Sequence, residues 1–249
     1  MELNAASETS HDLATRLARL SPSAKVAGIV PAGFESHLRI LHKGHGTSEP
    51  GLGTGPDPLI SWGTVASALG RNLEEQTLWA DLSGKYGEPA LVPGVGTVYP
   101  PEEGRLDCPG FTALADLLAE TSDGPFYAGF WTGWEPLSEY SESAEAIRLG
   151  QTVSIQGESY LFYVLSQLDL AAAAFLQFPQ LGWKAGNGLT PNYLWPTDES
   201  WLLVSNVDFD SSILAGSSSL VETVKQLSDL ECIPVRRSTD LTSSIRPAP

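Results

Sequence analysis

The stretch that most constrains the fold is residues 195–235, because it joins the clearest strand and helix patterns in the chain. Its apolar run at residues 201–207 predicts a buried strand, and residues 232–235 predict a second, short strand. Between them, Ser219 and a Glu three positions later have the spacing of a capping box, which predicts a helix over residues 219–227. A strand, an Asp-rich turn, a helix and a strand in succession indicate a domain that combines both kinds of structure.

The rest of the chain alternates irregularly between strand and helix patterns. Because there is no βα period and no repeat of fixed length, the sequence favours a mixed α+β fold with a single sheet, mainly antiparallel or mixed, flanked by helices. Roughly five or six strands would be typical of such a sheet. The other predicted helices cover residues 11–20, 62–69, 72–82, 111–121 and 169–178, and the other predicted strands cover residues 37–40, 126–134 and 159–168, with a short extended piece near Leu91.

One globular domain is predicted over residues 1–236. Residues 44–58, GHGTSEPGLGTGPDP, contain five Gly and three Pro, so this part should form an exposed, mobile loop. Residues 237–249 have few apolar side chains to bury and predict a disordered C-terminal tail. In the strand predicted at residues 37–40, apolar and polar residues alternate, which is typical of a strand buried on one face only.

The charge of the chain limits its partners. Its 14 Lys and Arg residues against 30 Asp and Glu residues give a formal net charge of −16. Such a surface repels nucleic acid and anionic membranes, so neither is predicted as a partner. A basic partner protein or a cationic ligand is compatible with this charge, and so is a surface that only keeps the protein in solution.

The two cysteines, Cys108 and Cys232, are too few and too far apart for a disulfide framework or a zinc cluster, so both are expected to be reduced. The N-terminal residues lack the basic start and apolar run of a signal peptide. No apolar stretch is long enough to cross a bilayer, and the expected location is the cytoplasm.

The Asp-rich turn contains Asp208 and Asp210 in the run LLVSNVDFDSSIL. This run is similar to the first motif of the haloacid dehalogenase-like phosphotransferases. The resemblance implies that Asp208 is a nucleophile, that Asp210 is an acid/base, and that Mg²⁺ lies between them. In that family, however, further catalytic residues follow the motif, and only 39 residues of this chain follow Asp210. The competing interpretation is that both Asp side chains accept backbone N–H bonds within the turn.

Three of the four histidines lie close together in the sequence, at His37, His42 and His45, with Glu35 beside them. Imidazole and carboxylate groups suit zinc or another transition metal, so these residues are candidate ligands. The odd separation of His37 and His42 places them on opposite faces of a strand, and no paired ligand motif is present. The alternative is one packed histidine and two solvated ones, with no bound metal.

A third candidate is Trp131, Trp134 and Glu135 in the run GFWTGWEP. Two Trp side chains near a strand end can stack on a ligand ring while a carboxylate accepts a hydrogen bond from it. The alternative is that the two Trp side chains are parts of the core and its rim. The glycine-rich runs lack the spacing of phosphate-binding loops, and no nucleophile elbow for a serine hydrolase is present, so no cofactor is predicted.

Several segments resemble a set of uncharacterised actinobacterial proteins of similar length. They are RLARLSPSAKVAGIVPAGFESHLRILHK, FWTGW, SYLFYVLSQL and LWPTDESWLLVSNVDFDSSILAGSSSLVETV, which together span most of the chain. The resemblance implies a bacterial cytoplasmic protein that forms a single unit. It does not identify any catalytic residue. The acidic composition and scattered tryptophans also look like those of small bacterial immunity or adaptor proteins.

We therefore expect a module that binds a protein or a ligand, with no catalytic activity favoured. The alternative is a metal-assisted hydrolase or phosphotransferase that uses Asp208 and Asp210. The two hypotheses differ in what they require of the Asp-rich turn: an enzyme needs both carboxylates at one metal, whereas a binding module does not.

Overall fold

The computed structural model describes residues 2–3, 11–47, 57–135, 137, 142–171 and 189–242. In these residues, thirteen strands form two antiparallel sheets, and eight helices pack against them. The predicted mixed α+β class is confirmed, but the single predicted sheet is replaced by a large sheet and a small one.

The large sheet has nine strands, all paired in antiparallel fashion. The strands that the sequence predicted with the most apolar residues lie in its interior, where both faces are covered. In spatial order they are β1 (Glu2–Leu3), β9 (Glu158–Leu165), β7 (Phe126–Trp131), β10 (Tyr193–Pro196), β11 (Leu202–Val204), β12 (Ser211–Gly216), β2 (Ser36–Leu41) and β13 (Glu231–Val235), and β8 (Val153–Ile155) also pairs with β9.

Helices cover both faces of the large sheet. One face packs on four of them, α5 (Cys108–Ala119), α6 (Glu142–Arg148), α7 (Gln167–Ala171) and α8 (Ser218–Val224). The other face packs on α1 (His11–Ala18) and α2 (Val26–Ile29). Side chains alternate between the two faces along each strand, so the five interior strands from β9 to β12 in this order contribute to both apolar cores.

The small sheet and its helices form a third apolar cluster next to β2. Its strands, in spatial order, are β4 (Leu59–Ile60), β3 (Gly44–Gly46), β6 (Gly96–Tyr99) and β5 (Ala90–Val92), and they pack on α3 (Trp62–Ala68) and α4 (Trp79–Ser83). The two Trp side chains that open these helices make an edge-to-face contact with ring centroids 5.6 Å apart. This cluster fixes the small sheet against the end of the large one.

Several predictions about local structure are wrong in detail. The helix of the central stretch begins one residue earlier than expected, because the Ser217 hydroxyl, and not that of Ser219, caps it by accepting the Leu220 N–H, and the side chain of Glu222 pairs with Lys225. Strand β12 was not predicted at all. The strand predicted to be buried on one face, β2, is buried on both beyond its first residue.

The boundaries of the expected loop and tail also differ. Residues 44–46 are not part of a loop but form β3, and residues 48–56 lie outside the described residues. The chain continues to pack beyond position 236, since the Leu241 side chain is only 2% exposed and Arg237 donates to the carbonyl groups of Val30 and Pro31. Residues 237–242 are therefore packed and do not form a disordered tail, and residues 243–249 lie outside the described residues.

None of the helices in the described part of the chain is both long enough and apolar enough to cross a lipid bilayer.

Candidate functional site

The Asp-rich turn joins β11 to β12, and its two carboxylates have different surroundings. Asp210 Oδ1 accepts a hydrogen bond from Arg39 Nη2 at 3.0 Å, and Asp210 Oδ2 accepts one from the Trp79 backbone N–H at 3.2 Å. The second contact lies at the start of α4, where backbone N–H groups lack helical partners. Both oxygens of Asp210 are therefore used to hold the turn against β2 and α4.

The Asp210 carboxylate neutralises the buried guanidinium of Arg39. The guanidinium lies on β2 with no solvent exposure, and its central carbon is 5.6 Å from the ring centroid of Trp62. A buried cation is tolerated only when its charge and its donors are paired. The donors of Arg39 reach Ser211 Oγ (2.8 Å), Thr77 O (2.7 Å), Glu75 O (3.2 Å) and Asp210 Oδ1 (3.0 Å).

Asp208 is exposed and takes no part in this network. Its backbone N–H donates to Asn206 Oδ1 at 3.0 Å, so the residues form an Asx-turn that fixes the loop. Among the described residues, the Asp208 carboxylate has no hydrogen bond and no ion pair. The interpretation that both Asp side chains accept backbone N–H bonds within the turn therefore fits neither residue, since Asp210 accepts from Arg39 and from the Trp79 N–H, which lie outside the turn.

Asp208 lines a cavity of about 400 Å³, which we call the Tyr86 cavity. It opens where the small sheet meets the large one, and no Lys, Arg or His is found among the described residues that line it. The charged residues at its wall are Glu103, Asp208 and the paired Asp210. The larger apolar and aromatic side chains of the wall are Leu78, Trp79, Tyr86, Pro100, Pro101, Phe209 and Leu241.

Tyr86 stands at the mouth of this cavity with 72% of its surface exposed. Its hydroxyl donates to Glu103 Oε1 at 2.5 Å, which fixes a carboxylate at the rim. The pKa of Tyr86 is raised to about 12, first by this hydrogen bond, then by burial, and also by the negative charges of Glu103, Asp208 and Asp210. The cavity mouth therefore has a negative electrostatic potential.

Gly104 sets the position of the Asp208 loop. Its backbone N–H donates to the Phe209 carbonyl at 2.8 Å, its φ is +71°, and a Cβ atom at this position would lie 2.7 Å from Val207 Cα. Both the positive φ and the close backbone contact require glycine.

We expect Gly104→Ala to lower the free energy of unfolding by about 2–3 kcal/mol, since the clash with Val207 adds to the strain of a positive φ. The matched control is Gly94→Ala, where φ is +75° but no atom lies within 4 Å of the added carbon. That variant should lose only about 1 kcal/mol. Chemical denaturation measures both changes, and equal losses would contradict the role of the contact.

The three candidate metal ligands are not brought together. His42 and His45 both line a different cavity, whereas His37 lies near the opposite end of β2, roughly 16 Å along the strand from His42. His42 is 1% exposed, and its two ring nitrogens lie 2.9 Å from Glu102 O and 2.8 Å from Ser212 Oγ, so neither is open to a metal ion. No metal-binding group of three or more His, Cys, Asp or Glu side chains occurs in the described ranges.

Trp131 and Trp134 are held by Asn192. The Asn192 Oδ1 atom accepts the Trp131 backbone N–H at 2.8 Å and the Trp134 indole N–H at 3.1 Å, and the two indole rings pack edge to face. Trp134 packs on one apolar core and Trp131 on the other, while Glu135 is exposed beside them. This arrangement fits core and rim packing, and these residues do not line the Tyr86 cavity.

Several residues of the candidate site were not found by sequence reasoning. Tyr86 and Glu103 lie in a Gly- and Pro-rich region without a periodic pattern, and Arg39 was predicted on the exposed face of a half-buried strand. A buried Arg requires a carboxylate partner, but the sequence does not indicate that the partner lies 171 positions away. Of the residues that line the Tyr86 cavity, the sequence indicated only Asp208 and Asp210 as candidates.

Comparisons of this chain with models of known protein families, with curated proteins and with solved structures found no match. The resemblance to actinobacterial proteins stays a prediction, and function is inferred from the geometry of the site.

Proposed function

We propose that this protein is an acidic binding module that holds a cationic side chain of a basic partner protein in the Tyr86 cavity. The observation that supports this function is the unpaired carboxylate of Asp208 in a cavity whose charged wall residues are all acidic. The proposed setting is the cytoplasm, where a basic protein segment is a suitable partner for a chain with a formal net charge of −16.

The chemistry of the wall favours an Arg or Lys side chain over an inorganic cation. Such a side chain has an apolar stem and a charged head, and the cavity offers both kinds of surface. The stem would pack on Phe209 and the two prolines, and the head would lie between Asp208 and Glu103. Tyr86 at the rim adds an aromatic face, which attracts a guanidinium.

The alternative of a metal-assisted hydrolase or phosphotransferase is not proposed. That chemistry needs both carboxylates of the turn at one metal ion, and Asp210 already binds Arg39 and the start of α4. Freeing Asp210 would leave the cation of Arg39 buried without its partner, which is strongly unfavourable.

Binding of the blocked peptide Ala-Ala-Arg-Ala-Ala tests the proposal, with a citrulline peptide of the same shape but no charge as the reference. We expect the Arg peptide to bind about tenfold more tightly than the citrulline peptide by calorimetry, since the ion pair contributes about 1.4 kcal/mol. Asp208→Asn should remove most of this difference, because it keeps the size of the side chain and removes its charge.

The matched control is Asp116→Asn, which makes the same change at an exposed position on α5. This control should change the affinity less than twofold. Equal binding of the two peptides, or an equal loss in both variants, would contradict the proposed function.

A further inference from the structure

A second cavity adjoins the first. Its volume is about 340 Å³, and we call it the Tyr160 cavity. The two cavities share Asp208, Phe209 and Thr242 as wall residues, so they lie on either side of the same short loop. The two cavities are therefore neighbours, separated by the loop that contains Asp208 and Phe209.

The charged residues at the wall of the Tyr160 cavity are acidic, as they are in the Tyr86 cavity. Glu158 and Asp208 are the charged residues at its wall, and no Lys, Arg or His lies among the described residues there. The carboxylate of Glu158 is held in place, since its Oε2 accepts the Trp131 indole N–H at 2.7 Å. Besides Asp210, which is paired with Arg39, each cavity thus has one carboxylate of its own, Glu103 or Glu158, and both share the unpaired one of Asp208.

The floor of the Tyr160 cavity is apolar and aromatic. Tyr160 and Tyr193 pack edge to face with ring centroids 4.9 Å apart, next to the buried side chains of Ile29 and Ile155. Burial raises the pKa of Tyr160 to about 12, and the charges of Glu158 and Asp208 also raise it. The charge of Asp208 therefore acts on tyrosines in both cavities.

Two residues with positive φ lie at the edge of this cavity, and both belong to a β-hairpin loop. Gln156 has a φ of +54° and Gly157 a φ of +91°, and they form the two-residue loop between β8 and β9. A hairpin loop of two residues commonly needs positive φ at both positions. The Gln156 side chain also donates to the Gly28 carbonyl at 2.6 Å, which ties this hairpin to α2. The hairpin loop at the edge of the Tyr160 cavity is therefore anchored to α2.

We propose that the two cavities form one groove, which binds an extended segment of the partner with two basic side chains, one on each side of the Asp208 loop. This inference rests on the proposed function and specifies the ligand more closely. Charge complementarity identifies the occupant, because only acidic charges line the groove in the described residues. Side chains of an extended segment point alternately to opposite sides, so the number of residues between the two basic residues determines whether both cavities are filled. The spacing that fits is to be found by measurement.

A set of two-Arg peptides tests the groove, with one, two or three alanines between the arginines. Each has a partner peptide in which the second arginine is citrulline. We expect the second charge to increase the affinity about tenfold for at least one spacing, because the first contact raises the effective concentration of the second.

Variants of the protein separate the groove from general attraction to an acidic surface. Glu158→Gln removes the one charge that belongs to the second cavity alone and keeps an acceptor for Trp131, so it should reduce the gain from the second arginine to about twofold. Asp116→Asn makes the same change in net charge at a distant helix and should leave the gain intact. A gain that is the same in all three proteins would overturn the groove.

The outcomes distinguish the groove from the proposed function. If the single-Arg peptide binds through Asp208 but no spacing gives more than a twofold gain, the groove is wrong and the proposed function stands. If the single-Arg peptide fails to bind, the proposed function itself is wrong. If a variant that ends at Thr242 binds the peptides much more tightly than the full chain, the chain's own residues 243–249 are the occupant, and a partner segment is not.

Discussion

Asp210→Asn is expected to lower the free energy of unfolding by about 3 kcal/mol, because it leaves the buried cation of Arg39 without its counter-charge. The Arg39 side chain is 0% exposed and Asp210 is 14% exposed, so water can replace only part of the lost interaction. Asn can still accept one hydrogen bond, from Arg39 or from the start of α4, but it cannot neutralise the guanidinium. Urea denaturation measures the loss as a lower midpoint with an unchanged slope.

The control for Asp210→Asn lies two positions away. Asp208→Asn makes the same change in the same turn, but on an exposed carboxylate with no hydrogen bond or ion pair among the described residues. It should change the stability by less than about 0.5 kcal/mol. Similar losses in the two variants would show that the turn, and not the buried ion pair, determines the stability.

A double-mutant cycle isolates the pair itself. Arg39→Met removes the cation, and the loss caused by Asp210→Asn should then be smaller by at least about 1 kcal/mol. Met fills much of the space of the Arg stem without any charge to satisfy. Strictly additive losses would mean that Asp210 stabilises the fold through the Trp79 N–H alone.

The free energy of unfolding is expected to fall when the pH is lowered, because His42 is buried in its neutral form. Burial lowers the pKa of His42 to about 4 from the ordinary value of 6.5. Since the Glu102 carbonyl can only accept, Nδ1 carries the proton and Nε2 accepts from Ser212. Ser212 in turn lies 2.5 Å from Ser205 Oγ, so a proton added at Nε2 would disrupt a buried chain of hydrogen bonds.

The sign of the effect follows from proton binding. Between the two pKa values the unfolded chain binds a proton at His42 and the folded protein does not, so stability falls as the pH is lowered. The loss from this residue should be about 2 kcal/mol between about pH 7 and about pH 5, a window above the ordinary range of carboxylate titration. The stability contribution is fully present above the unfolded pKa and is lost as the pH falls towards the folded one.

The variant His42→Gln tests this assignment. Glutamine can donate and accept as neutral His42 does, and it does not titrate. The variant should be less stable at about pH 7, and its stability should change less towards about pH 5 than that of the wild type. His37, whose pKa is also lowered by burial, stays unchanged in this comparison. Parallel pH profiles for the two proteins would rule out His42 as the source of the acid sensitivity.

Local patterns in the sequence predicted the elements that carry strong periodic signals. The helix at α5 and the strands β7 and β9 have apolar residues at helical or strand spacing over many positions, and each formed close to its predicted bounds. Strand β12 was missed because it opens with Ser211 and Ser212. These two residues are buried, and Arg39 and His42 form hydrogen bonds with their hydroxyl groups.

The candidate site was also only partly predictable, because it depends on contacts between distant parts of the chain. Asp208 was identified because acidic residues after a strand stand out in the sequence, but the cavity around it is assembled from four separate parts of the chain. Tyr86 and Glu103 lie in an aperiodic region, and Leu241 was expected in a disordered tail. Contacts between residues that are far apart in the chain depend on the tertiary fold, and local patterns do not contain that information.

The most direct measurement of the central claim is an NMR titration of the ¹⁵N-labelled protein with the single-Arg peptide, which locates the binding surface by chemical-shift changes. The proposed function predicts the largest changes at the backbone N–H groups of Tyr86, Asp208 and Phe209, which line the cavity. The indole signals of Trp131 and Trp134 should stay almost unchanged. Changes centred on Trp131 and Trp134, with none at Asp208, would contradict the Tyr86 cavity as the binding site.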